Sequence, residues 1–80
     1  MWYVYIVECS DGSLYTGIAT DVNKRIETHN KGKGAKYTKT RLPVVLRASF
    51  EVENRSLASK EEYRIKQLTR KQKLELISKF

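Results

Sequence analysis

The chain carries one cysteine, one proline, one tryptophan and one histidine among its 80 residues, and few acids. A single thiol cannot close an internal disulfide, so nothing calls for an oxidising compartment. Cys9 therefore reads as a small buried apolar residue at a strand end. Long hydrophobic runs are missing as well. The apolar stretch at 2–7 stops at Glu8, lacks a basic region before it, and is too short for a secretory signal or a bilayer span. These absences set the expectation of a soluble, cytoplasmic protein with no membrane partner. Repeats, low-complexity segments and linkers are also lacking, so residues 1–80 are expected to form one domain with a small core.

Basic charge is abundant. Lys and Arg number 16 against 9 Asp and Glu, for a net charge of +7, a balance that favours a polyanionic partner. Between Lys24 and Arg47 there are eight basic residues and one acid, Glu27. Lys31, Lys33, Lys36, Lys39 and Arg41 form a run without any acid. Tyr37 lies within it, and Gly32 and Gly34 leave the backbone room to approach a ligand. The pattern suits a loop that contacts backbone phosphates.

Aromatic and β-branched residues dominate the N-terminal segment, with a Ser10-Asp11-Gly12 turn between two strand-like runs, residues 2–9 and 13–19. A three-residue loop with Gly12 in the left-handed conformation pairs Cys9 with Ser13 and Tyr5 with Gly17. That register puts Tyr5 and Tyr15 on one face, whereas a two-residue turn would part them. Thr20 or Asp21 then caps a helix to about His29, on which Val22 and Ile26 face the sheet while Arg25 and His29 share the adjacent face. After the basic loop, Pro43 introduces a third strand, Val44 to Val52, whose Val44-Val45-Leu46 start is expected to be buried. Asn54 and Arg55 turn the chain, Ser56 caps a second helix to about Leu68, and Thr69 with Gln72 makes a capping box for a third. The expected fold is α+β, a three-stranded, mainly antiparallel sheet flanked by three helices in the order ββαβαα.

One residue interrupts the apolar stripe of the second helix. Glu62 falls in line with Ala58 and Ile65, where a carboxylate is costly unless paired or metal-bound. An ion pair with Lys66, four residues on, is the ordinary explanation; Glu61 can turn to solvent beside Arg64.

Together, Tyr5, Tyr15, Gly17, Arg25, His29 and Glu62 resemble the signature of the GIY-YIG nuclease domain over nearly the whole chain. Tyr3-Val4-Tyr5 stands for GIY and Tyr15-Thr16-Gly17 for YIG, with the family arginine at Arg25 and the metal-binding glutamate at Glu62. The run His29-Asn30-Lys31-Gly32-Lys33-Gly34-Ala35-Lys36-Tyr37-Thr38 is similar to the small, single-domain bacterial branch. The pattern departs at Tyr3, in place of the first glycine, and at Ile18, where some relatives carry a lysine.

The resemblance implies an endonuclease that hydrolyses nucleic-acid phosphodiesters, DNA foremost, with Mg²⁺ or Mn²⁺ on Glu62. Arg25 would hold phosphate oxygens. Tyr15 is implied as the base with Tyr5 bonded within the site, and His29 competes for the role because its ordinary pKa of about 6.5 suits it. Asn30, Lys31, Lys33, Lys36, Tyr37, Thr38, Lys39 and Arg41 are expected to touch the nucleic acid. A binding module of the same fold that cleaves little accounts for the charge equally well, but not for Glu62. One site cuts one strand, so the expected state is a monomer or weak dimer.

Overall fold

β1 (Trp2–Glu8) is central in a three-stranded antiparallel sheet of order β2-β1-β3, which makes it the strand that both faces of the molecule bury. The computed structural model describes residues 1–80, with β2 at Leu14–Ala19 and β3 at Val45–Val52. Val4, Tyr5, Ile6 and Val7 are all at most 1% exposed, so the alternation of side chains along β1 feeds two separate cores. Val4 and Ile6 join Ala48, Ala58 and Ile65 on one face. Tyr5, Val7 and Cys9 join Ala19 and Val44 on the other, where Val22, Ile26 and Tyr15 also pack.

The hairpin has the register expected of a three-residue loop. Tyr5 pairs with Gly17 and Val7 with Tyr15, and the Cys9 N–H donates to the Ser13 carbonyl at 2.8 Å. Gly12 has φ of +84°, a left-handed conformation that a side chain would strain. The Ser13 N–H donates to the Asp11 carboxylate at 3.0 Å, which locks the turn from within.

Helix α1 (Val22–Asn30) starts at Asp21, whose carboxylate accepts from the Lys24 N–H at 3.1 Å. Helix α3 (Arg55–Lys66) starts one turn-residue earlier than Ser56. Asn54 is its cap, extended in backbone and accepting from the Leu57 N–H at 2.9 Å. Arg55 is thus the first helical residue and not part of a turn, and the helix ends at Lys66, short of Leu68. Asn and Ser are comparable caps, and position relative to the apolar stripe does not separate them. Helix α4 (Arg70–Ile77) carries the full capping box of Thr69 and Gln72, and Leu76 and Ile77 pack on the α3-side core.

A fourth helix was not expected. α2 (Lys36–Lys39) is a single turn inside the basic loop, too short for any hydrophobic periodicity to announce it. The start of β3 also differs from expectation. Val44 is buried but precedes the strand, whereas Val45 alternates to the other face and is 50% exposed. A bulge places Arg47 between the pairs Ile6–Ala48 and Val7–Leu46, and its guanidinium reaches Glu8 at 2.8 Å. No helix is long and apolar enough to cross a membrane.

Candidate active site

Three of the expected residues form one buried hydrogen-bonded chain. The Tyr5 hydroxyl lies 2.8 Å from His29 Nε2, and His29 Nδ1 lies 2.8 Å from Thr38 Oγ1. Thr38 has one hydroxyl proton and donates it to the Ala35 carbonyl at 3.0 Å. Its oxygen must then accept from His29, which places the imidazole proton on Nδ1 and leaves Nε2 to accept from Tyr5. Tyr5 and His29 are effectively fully buried. Burial holds the His29 imidazole below its ordinary range, with the positive charge of Arg25 acting in the same direction. Burial likewise pushes the Tyr5 phenol up, and the Arg25 guanidinium pulls the other way. The chain is therefore a neutral relay of three side chains, not a charged pair.

Two glycines make the relay possible. A Cβ on Gly17 would run into the Tyr5 hydroxyl, and one on Gly34 would run into the His29 ring. Gly17, directly across from Tyr5 in the sheet, leaves the space into which the phenol turns. Gly34 does the same for the imidazole, so its small size serves internal packing and not the approach of a ligand.

Tyr15 is half-buried beside this relay. Its ring meets His29 edge-on with centroids 5.7 Å apart and stacks on Tyr37 at 5.9 Å. Arg41 covers Tyr37 with its guanidinium 4.1 Å from the ring centroid. The same guanidinium donates to the Asp11 carboxylate at 3.0 Å and to the Tyr37 carbonyl at 2.8 Å. Arg41 thus ties the hairpin tip to the basic loop and holds Tyr37 against Tyr15. Hydrogen bonds from Ser13, together with Arg41, keep the Asp11 carboxyl below the usual range.

Arg25 lies one helical turn before His29 and opens onto a shallow groove of about 370 Å³ with Trp2, Ile18, Lys24 and Thr28. Glu62 comes from α3, which packs on the other face of the sheet; its negative charge is the smallest of the influences on the Tyr5 phenol, and its partner Lys66 stands over the Tyr15 ring. The structure brings Tyr5, Tyr15, Arg25, His29 and Glu62 into one neighbourhood.

The expected nucleic-acid contacts divide in two. Lys31, Lys33, Lys36, Tyr37 and Lys39 are exposed. Thr38 is fully buried in the relay, so it has no surface to offer a substrate. The Asn30 amide is engaged on both sides by the Val44 backbone, accepting at 2.8 Å and donating at 3.2 Å. Arg41 is already committed to Asp11 and Tyr37. None of these three internal uses has a local sequence signal, because each depends on a partner at least three residues away whose position the fold decides. Helical spacing makes Lys66 a partner for Glu62, and its ammonium also stands 5.6 Å from the centroid of the Tyr15 ring, a contact no sequence spacing signals.

The donor set tests which metal could be held. No three His, Cys, Asp or Glu side chains converge, which rules against a tetrahedral zinc-type centre built from the protein alone. Glu61 is gripped by Arg64 with two contacts, at 2.7 and 3.1 Å. Glu62 has only Lys66, at 3.5 Å, with a side chain 25% exposed. One loosely held hard oxygen donor fits Mg²⁺ or Mn²⁺, which keep waters and take phosphate oxygens for the remaining positions.

The architecture and residues agree with known proteins. The GIY-YIG catalytic domain model matches residues 1–75. A UPF0213 protein of Staphylococcus aureus (strain N315) is 61% identical over 75 residues, which is 94% of this chain and 92% of the relative. The solution structure of the UPF0213 protein BH0048 from Bacillus halodurans is 49% identical, with a TM-score of 0.62 over 98% of this chain and 84% of that one. The solution structure of the protein EF2693 from E. faecalis is 42% identical, with a TM-score of 0.64 over 98% and 83%. With the family signature matched along its length and its residues gathered into one site, this chain belongs to the GIY-YIG catalytic-domain family.

Proposed function

We propose that this protein is a divalent-metal-dependent endonuclease that hydrolyses phosphodiesters of nucleic acid, with DNA as the preferred substrate. The family is one of nucleases, and the finer assignment rests on the chemistry of this site. The observation that carries it is Glu62, a half-buried carboxylate with one long contact to Lys66, the same lysine that stands over the Tyr15 ring, on a strongly basic molecule. A site for phosphate binding alone gains nothing from a carboxylate, which repels the ligand.

In this reading Glu62 would hold Mg²⁺ or Mn²⁺. The bound ion supplies Lewis acidity at the phosphate and stabilises the leaving oxygen. Arg25, opening onto the groove, holds non-bridging oxygens and stabilises the charge that develops on them. Tyr15 acts as a phenolate, taking the proton of the attacking water and becoming the neutral phenol. His29 is the weaker choice because its Nε2 lone pair already accepts from Tyr5 and its Nδ1 proton is given to Thr38. Its part is to fix the Tyr5 phenol and to wall one edge of Tyr15. Lys31, Lys33, Lys36 and Lys39 carry the nucleic-acid backbone, and Tyr37 offers a partly exposed aromatic surface beside them. One such site cuts one strand, so the protein acts as a monomer or a weak dimer.

The test is cleavage of plasmid, branched and single-stranded DNA with and without Mg²⁺. Nicking that stops in EDTA and in Glu62→Ala, with binding retained in that variant, is the expected result. A folded wild-type protein that turns over none of these substrates with either metal refutes the assignment and leaves a binding module.

A further inference from the structure

Two neighbouring carboxylates on α3 are treated differently. Two N–H groups of Arg64 converge on one oxygen of Glu61, Oε2, at 2.7 and 3.1 Å, whereas Lys66 approaches Glu62 only to 3.5 Å. The shorter Arg64 distance is that of a strong charge-assisted hydrogen bond and the Lys66 contact is a loose ion pair. The Lys66 ammonium also stands 5.6 Å from the Tyr15 ring centroid, so one cation lies within reach of both the carboxylate and the ring. Lys66 is the last residue of α3, and a four-carbon stem lets its head swing clear without disturbing the helix. Its side chain is 46% exposed and its removal opens no core cavity.

We infer that Lys66 is a displaceable internal counter-cation, which competes with the divalent ion for Glu62 and leaves the carboxylate when the ion arrives. The inference rests on the reading of Glu62 as the metal ligand. It explains how a carboxylate can lie on an otherwise apolar stripe next to Ala58 and Ile65 without an ion to neutralise it. It also gives Lys66 a second position. Once displaced, the ammonium remains beside Tyr15, where it faces the approaching phosphate instead of Glu62.

The competition has a measurable size. A unit charge and a divalent charge about 5 Å apart in a water-like medium repel enough to weaken the ion's binding by about tenfold. MnCl₂ is titrated into the ¹⁵N-labelled full chain, and paramagnetic broadening of amides around Glu62 reports occupancy without any substrate. In Lys66→Met the apparent affinity should tighten by about tenfold. Lys66→Arg, which keeps the charge, should stay within about twofold of wild type. Broadening should vanish around residue 62 in Glu62→Gln. Equal affinities in wild type and Lys66→Met, with broadening still centred on Glu62, overturn the competition while leaving the metal site intact. No broadening there in either protein overturns the metal site and the inference with it.

Discussion

The single histidine makes the buried relay directly observable, because its ring signals need no assignment. The expected state of His29 is a neutral imidazole with the proton on Nδ1, read from ring ¹⁵N shifts, and a titration midpoint below the ordinary 6.5. Tyr5→Phe removes the donor to Nε2 and leaves a buried acceptor unpaired, at a cost of about 1–3 kcal/mol. For a domain of this size each kcal/mol lowers Tm by about 4–8 °C, so the loss is well within reach of a thermal melt. The same substitution removes a hydrogen bond that favours the neutral ring, so the His29 midpoint should move up from its wild-type position. Linkage gives a second readout. A folded-state pKa held below 6.5 means that the unfolded chain takes up the proton first as pH falls. The contribution of His29 to stability is then flat above pH of about 6.5. It falls by up to about 1.4 kcal/mol per pH unit below that, until the folded-state pKa is reached. Urea melts between pH 7.5 and 5 should show this slope in wild type and a shallower one in His29→Gln, which cannot take up the proton. An imidazole that titrates at or above 6.5, or that carries its proton on Nε2, refutes the relay as described.

Gly17→Ala should destabilise the protein by about 1–3 kcal/mol, because the new methyl group and the Tyr5 hydroxyl cannot share one space; calorimetry and the His29 ring shifts check it together. Thr16→Val should be neutral or stabilising by up to about 1 kcal/mol, since the buried Thr16 hydroxyl has no hydrogen-bond partner; a fall of Tm by several degrees would show a hidden partner. Alanine at Lys31, Lys33, Lys36 or Lys39 should each weaken DNA binding evenly across sequences and reduce the slope of log K against log salt by up to about 1; an unchanged slope removes that lysine from the phosphate contacts.

The parts of the fold carried by short-range rules were readable from the chain. A three-residue Ser10-Asp11-Gly12 loop with Gly12 left-handed is a favoured hairpin type, and choosing it over the two-residue turn sets the pairing of Tyr5 with Gly17. The Thr69–Gln72 box is likewise local, and the cap of α1 was narrowed to Thr20 or Asp21, of which Asp21 is the one used. Three residues separate Asn54 from Leu57 just as surely as Ser56 from Ser59, so choosing between two competent caps needed the tertiary structure. The exposure of Val45 follows from alternation once the strand start is known, and that start is set by the Asn30 amide on Val44. Register put Tyr5 with Tyr15 and helical spacing put Arg25 with His29, but only the resemblance to the GIY-YIG domain joined the two pairs, because periodicity does not say which face of the sheet the helix covers. The burial of His29 was not legible, since it depends on Gly34 and Thr38 arriving from a loop with no periodic pattern.

That last point explains how stability and reactivity are divided in so small a protein. β1 sends Tyr5 to the α1 side and Val4 and Ile6 to the α3 side, so the two cores share a backbone but few side chains. Arg25 and the relay belong to the first core, Glu62 and Lys66 to the helix of the second. Their meeting point is the Tyr15 ring, over which the Lys66 ammonium stands at 5.6 Å while Tyr15 itself packs on the first core. The relay is fully buried, hydrogen-bonded throughout and neutral, which suits a fixed wall. The Glu62–Lys66 pair is long, partly exposed and ionic, which suits a part that must exchange partners. A substitution in the relay should therefore lower stability and activity together, whereas one at Glu62 or Lys66 should change metal affinity and turnover with Tm nearly unmoved. Melting curves and Mn²⁺ titrations on Tyr5→Phe and Lys66→Met, run side by side, decide whether the division holds. Equal losses of Tm in both variants would show that the two layers form one cooperative site and that Lys66 is part of its frame.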